Sequence, residues 1–249
     1  MEHIFTKFTN IDFTEWLRFC NTGGGAILIN KDIDWTSFDV VAKMRGITKI
    51  KKIGHCGTLD PFATGLLILC LEKATKQVET FQNLPKQYNT TIKLGATTKS
   101  FDIEQPEEDI CDISHLKEND IIATINSFIG VIKQVPPMFS AKKKQGKKLY
   151  ELARKNVTID LDPAEVEIYN IDINKIDLPF INLTINCSKG TYIRALARDI
   201  GNKLGSGGYL TQLARTKIGE YDVEEAFTIG ELILKQQASE ILEVNSVTK

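Results

Sequence analysis

The stretch GHCGTLDPFATG, residues 54–65, runs straight into the apolar LLILCL of residues 66–71. It is the strongest constraint on the fold. Three glycines and a proline shape the backbone of such a segment more than they fill space. The apolar run that follows has the length of a buried strand and is far too short to cross a bilayer. Asp60 is the only carboxylate in the stretch, and it stands before Pro61, which pushes its backbone toward extended geometry. Two outcomes follow. One is an ordinary turn, since Asp-Pro opens many of them, and local chemistry alone favours it. The other is a carboxylate projected from a rigid platform, which suits a nucleophile or general base.

Elements on either side are legible by period. TSFDVVAKMRGI predicts a helix capped by Thr36 or Ser37, with Phe38, Val41 and Met44 recurring at helical spacing. KQYNTTIKLG alternates through Tyr88, Thr90, Ile92 and Leu94, as a half-exposed strand does. AEVEIYNIDI, FINLTINCSKG and YLTQLARTKIG predict further strands. TYIRALARDIGNKLG predicts a helix stopped by Gly205. VPPMFSAKKKQGKKLYELARKN opens as a stiff loop and ends as a helix. Strands and helices mix without a regular βαβ rhythm. The expected class is α+β, with a mixed, largely antiparallel sheet flanked by helices and loops.

The 249 residues carry a formal net charge of −1, so no global basic field advertises a nucleic-acid partner. Local charge does. Residues 141–155 hold seven Lys or Arg against one Glu, and residues 43–52 hold five basic residues and no acid. The five cysteines are odd in number, scattered and without a C-x-x-C pair, which argues against a disulfide framework or structural zinc. Reduced thiols in a cytoplasmic protein are expected. The N-terminus lacks the charged-then-apolar order of a secretory signal.

Five blocks occur in one order. They are GHCGTLDPFATGLLILCLEKATK, KQYNTTIKLGATTKSFD, QVPPMFSAKKKQGKKLYELARKN, CSKGTYIRALARDIG and LTQLARTKIG. Together they resemble the TruB family of tRNA pseudouridine synthases over roughly residues 24–232, far more than one short motif covers. The resemblance implies a pseudouridine-synthase catalytic domain over 23–237, an RNA-binding insertion at about 133–158, an N-terminal extension over 1–22 and a short tail over 238–249 without a PUA domain.

It also implies roles. Asp60 matches the catalytic aspartate, the nucleophile in the isomerisation of a T-loop uridine, position 55 in tRNA numbering. Breaking a glycosidic bond develops positive character on the sugar, which a carboxylate stabilises or captures. Addition to the sugar and abstraction of a sugar proton both remain open. Tyr88 matches the tyrosine that stacks on the extruded base. Arg194 matches the arginine expected beside the acid to keep it ionised and oriented. His55 matches the histidine that fills the vacated place among the bases. Lys76, Lys142, Lys143, Lys144, Lys147 and Lys148 are expected at the RNA, while Asp102 and Asp199 are expected either as structural acids or as acids that support the residues touching the substrate. The implied partner is the T-arm of tRNA. No metal, organic cofactor, membrane or obligate protein partner is implied.

The sequence departs from the family pattern at KDIDWTS, where K-P-x-G-x-[TS]-S is usual, so the loop shape there is open. A glycine usual after Asp102 is also missing. Rival readings are an RNA chaperone acting on the tRNA elbow, a synthase for another RNA uridine, and a nucleotide-binding protein built on the glycines at 23–25.

Overall fold

The computed structural model describes residues 4–140, 143–144, 147–149, 157 and 159–247. The chain forms two compact units, one from residues 1–84 and 214–249, the other from residues 85–213. The class is α+β, and the strand pairings are antiparallel in the main. Among the described residues no helix is long and apolar enough to cross a membrane.

In the first unit, strand Thr64–Leu71 is central. It pairs antiparallel with Gly25–Lys31 and with Ile53–His55, and in parallel with Ala214 and Arg215. Its continuous apolar run is explained by cover on both faces. Leu67, Leu69 and Leu71 point into one core with Ile27, Ile29, Met44 and Phe227. Leu66, Ile68 and Cys70 alternate into a second core with Ala26, Leu28 and Phe81.

Residues 4–23 add a short strand, Ile4–Phe5, parallel to Gly25–Lys31, and a helix, Phe13–Gly23, capped by Asp12. Phe5 lies between Trp16 and Phe227, with ring centroids 4.9 and 5.2 Å away. These rings are fully buried, so the segment contributes to the hydrophobic core of its unit.

Helix Ser37–Thr48 is capped by Thr36, one of the two caps the sequence offers, in a full capping box with Asp39. Its buried face differs from the expected one. Val40, Val41, Met44 and Ile47 face the core, whereas Phe38 is 66% exposed. Phe38 sits in the first turn, off the apolar stripe, although its spacing to Val41 fits one.

In the second unit, Lys86–Leu94 alternates buried and exposed residues as its period predicts. It pairs with Phe180–Cys187, which pairs with Ala164–Asp177, which pairs with Gly130–Gln134. The first residues of strand Gly208–Ile218 lie beside Lys86–Leu94, where the Thr90 hydroxyl donates to the Gln212 carbonyl at 2.7 Å. Helix Ile193–Leu204 ends at Gly205 in the left-handed conformation, at the predicted stop. The acidic segment after Leu94 contains a small ribbon, Thr97–Thr98 with Glu107–Glu108. Lys143–Lys144 and Lys147–Lys148 form a two-stranded antiparallel ribbon. The end of VPPMFSAKKKQGKKLYELARKN, where a helix is expected, and the side chains of Lys142, Lys143, Lys144, Lys147 and Lys148 lie outside the described residues.

Candidate active site

The Asp60 loop leaves strand Ile53–His55 and re-enters the sheet at Thr64. The Asp-Pro pair forms the turn that local chemistry favours. The Asp60 carbonyl accepts the Ala63 N–H at 3.1 Å, closing a turn with Pro61 at its second position. The side chain of Asp60 is half-buried.

Backbone bonds from several elements pin this turn. The Leu59 N–H donates to the Ser37 hydroxyl at 2.9 Å, and that hydroxyl donates back to the Leu59 carbonyl at 3.4 Å. The Pro61 carbonyl accepts the Asp34 N–H at 2.9 Å. It also accepts from Lys31, whose ammonium donates to the carbonyls of Asp32, Trp35 and Pro61 at 2.9, 2.6 and 3.2 Å. Lys31 is fully buried. Burial brings its pKa down to about 8, opposed by the negative charges of Asp60, Asp32 and Asp34.

Arg215 closes the other side. Its Nε donates to the Leu66 carbonyl at 2.8 Å and its Nη2 to the Gly57 carbonyl at 3.2 Å. Gly57 and Gly65 hold φ of +100° and +103°. A Cβ on Gly65 would lie 2.3 Å from the Arg215 carbonyl oxygen, so that position admits glycine alone.

The KDIDWTS departure resolves simply. Asp34 occupies the place of the usual glycine and adopts φ +64°. Aspartate tolerates this left-handed region better than most residues. Asp34→Gly is therefore expected to stay within ~1 kcal/mol of the parent chain, and Asp34→Val to lose ~1–2 kcal/mol. Chemical denaturation of the two variants measures this; equal stabilities would refute it.

His55 is partly buried, and its ring meets the edge of Phe38 with centroids 5.3 Å apart and planes at 86°. Burial pushes its pKa below the usual histidine value, helped by the nearby Arg215 charge and opposed by a bond to the Gly57 backbone. Burial thus favours the uncharged form of the ring. Lys76 is exposed on the short helix Glu72–Gln77.

Tyr88 and Arg194 belong to the second unit. Tyr88 is 9% exposed on its strand, opposite Ile185. Arg194 is 4% exposed, which removes the alternative of a solvated helix face. Its Nη1 donates to the Ser100 carbonyl at 3.0 Å and lies 3.2 Å from the Asp102 carboxylate, while Nη2 donates to the Phe139 carbonyl at 2.7 Å. Asp102 is fully buried and accepts the Ser100 hydroxyl at 2.5 Å and the Glu104 N–H at 3.0 Å. It is the structural acid the sequence predicts. Asp199 pairs with Arg198 at 2.8 Å.

The helix carrying Arg194 is fixed at its start by Gln134, the first residue of QVPPMFSA. Gln134 donates to the Tyr192 carbonyl at 3.1 Å and accepts the Tyr192 N–H at 2.9 Å. Lys31, Ser37, Gln134 and Arg215 are positioning residues that sequence reasoning passed over. Lys31, Gln134 and Arg215 each lie inside or beside one of the quoted blocks, and that place was the available signal.

A family profile described as TruB family pseudouridylate synthase (N terminal domain) matches residues 45–193, and one described as tRNA pseudouridylate synthase B C-terminal domain matches residues 194–243. The chain belongs to the TruB family. A TruB relative from Chloroherpeton thalassium, tRNA pseudouridine synthase B, is 45% identical over 217 residues, covering 85% of this chain and 90% of the relative. The protein of the same name from Clostridium tetani is 44% identical over 208 residues, covering 84% of this chain and 72% of the relative. Among solved structures, a Cbf5-Nop10-Gar1 complex matches with 27% identity and a TM-score of 0.65, covering 91% of this chain and 56% of the solved one. An H/ACA RNP bound to a substrate RNA containing 2'-deoxyuridine matches with 26% identity and a TM-score of 0.61, covering 82% and 51%. The chain therefore spans about half the length of these solved chains. TruB membership accounts for the ordered blocks and makes the enzyme class pseudouridine synthase.

Proposed function

We propose that this TruB enzyme converts a uridine of tRNA to pseudouridine, and that the target is the T-loop uridine at position 55. The single observation carrying the reading is the Asp60 turn, a carboxylate on a backbone that Lys31, Asp34, Ser37 and Ala63 hold through hydrogen bonds with Leu59, Asp60 and Pro61. The relatives named tRNA pseudouridine synthase B support the substrate.

The reaction is an isomerisation and needs no redox partner. The N1–C1′ bond breaks, the base turns, and a C5–C1′ bond forms. C5 gives up its proton and N1 gains one, so atoms balance. In this proposal Asp60 is the nucleophile. Its rigid turn supplies orientation at no cost during the reaction. Tyr88 stacks on the extruded uracil, and Arg194 supplies fixed positive charge for the reaction. The His55 ring takes the place the uracil leaves. Lys76 and the lysines at 142, 143, 144, 147 and 148 meet phosphates of the T-arm, where ionic contacts release counterions. Action in the cytoplasm belongs to the same proposal.

Incubating the protein with an unmodified tRNA transcript and mapping pseudouridine tests this. Product at position 55, and none from a transcript with cytidine there, is the expected result. Product only at another uridine would overturn the site assignment, and no product would overturn the activity. The lysine assignment has its own test. Lys142→Ala combined with Lys143→Ala should weaken tRNA binding and lower the slope of log affinity against log salt by about 2. An unchanged slope removes these lysines from the interface.

A further inference from the structure

Phe38 has no part in the roles assigned so far. It is 66% exposed, yet it is not loosely held. It occupies the first turn of a helix whose start is locked by the Thr36–Asp39 capping box. Its neighbour Ser37 is bonded to both backbone groups of Leu59, the residue before Asp60. Its ring rests edge-on against His55. A large aromatic face is thus held in water, attached through one residue to the catalytic turn.

The surroundings suit a polyanion that carries aromatic bases. The same helix and the turn after it present Lys43, Arg45, Lys49, Lys51 and Lys52, all exposed. Ile33, also exposed at 54%, sits on the loop whose Asp34 N–H bonds Pro61. Apolar surface left in water at such a place carries an unfavourable hydration free energy in the free protein. A nucleobase covering the ring relieves it, and a ring already fixed by its backbone gives up little freedom on stacking.

The geometry points to Phe38 as a base-stacking platform that receives an unpaired nucleotide of the RNA substrate beside His55 and the Asp60 turn. This rests on the proposed RNA substrate and adds a contact residue to it. Phe38 is a substrate-contact residue, with no part in the bond changes. Its loss falls on binding and leaves the chemical step at saturating RNA nearly intact.

The test compares Phe38→Ala, Phe38→Leu, Phe38→Tyr and Phe38→Trp with the parent chain, using an unmodified tRNA transcript as the probe. Ala and Leu should each weaken tRNA binding and raise KM roughly 5- to 100-fold, the range for loss of one base–aromatic stack. Single-turnover rates at saturating tRNA should stay within about 3-fold of the parent. Tyr should bind as the parent does. The Trp variant should show emission quenched by tRNA beyond any change from native Trp16 and Trp35. Leu matters most, because it keeps the apolar cover over His55 and lacks a π-face. A Leu variant with parental affinity, or a Tyr variant as weak as Ala, overturns the proposal. So does an Ala variant whose affinity loss tracks a lowered melting temperature while Leu binds normally. Product formation by the parent chain judges the functional reading separately. A parent chain that makes product while no Phe38 variant changes binding overturns the platform alone, and a parent that fails to bind tRNA overturns both.

Discussion

Asp60→Asn is expected to lower pseudouridine formation by at least about 10³-fold while tRNA affinity changes by less than a few-fold. The substitution keeps the shape of the side chain. It also keeps the turn, because the bonds that hold it run through the backbone of Leu59, Asp60 and Pro61. What disappears is the negative oxygen that the proposed chemistry at the sugar requires. Lys31 loses one of the three acids that favour its charge and retains Asp32 and Asp34, so folding should be little disturbed. Asp60→Glu sharpens the point. It restores the charge but displaces it by one methylene from a rigid mount, and a misplacement of about 1 Å costs on the order of 10²-fold. Single-turnover assays on an unmodified transcript, paired with filter-binding measurements, separate these outcomes. A Glu variant at the parental rate would show that rigid placement is unimportant, and an Asn variant at the parental rate would remove Asp60 from the chemistry.

Asp102→Ala is expected to destabilise the chain by ~3–5 kcal/mol. The carboxylate is fully buried and serves three partners, the Ser100 hydroxyl, the Glu104 N–H and the Arg194 guanidinium. Alanine leaves these donors facing a void. The guanidinium keeps the carbonyls of Ser100 and Phe139 and loses the Asp102 carboxylate. For a chain of this size the loss corresponds to a melting temperature lower by roughly 6–20 °C. Asp102→Asn keeps an oxygen for the Ser100 and Glu104 donors and should lose about half as much. Thermal melts of the two variants decide it. A shift of less than about 2 °C for alanine would mean that the pair contributes no net stability. Under the role proposed for Arg194, activity falls with the same contacts, since Arg194 is held in part by Asp102.

Much of this was legible along the chain because its causes are local. A capping box, a period of two, a left-handed glycine after a helix and a proline after an aspartate act over four residues or fewer. Helix Ser37–Thr48, strand Lys86–Leu94, the Gly205 stop and the Asp60 turn were therefore available from the letters alone. The ordered blocks likewise identified the family, since their spacing is a property of the sequence itself.

The supports of the site were not available in that way. Arg215 reaches Leu66 across 149 positions, Gln134 reaches Tyr192 across 58, and Lys31 reaches Pro61 across 30. No periodicity announces such bonds. A lysine or arginine in a sequence looks like a solvated charge until the fold removes its water and offers carbonyls in exchange. The same holds for Phe38, whose spacing suits a core stripe and whose exposure depends on how the whole helix is turned. Local backbone preference sets which element forms and where it stops. Burial depends on what the rest of the chain brings against it, and only the tertiary structure decides that.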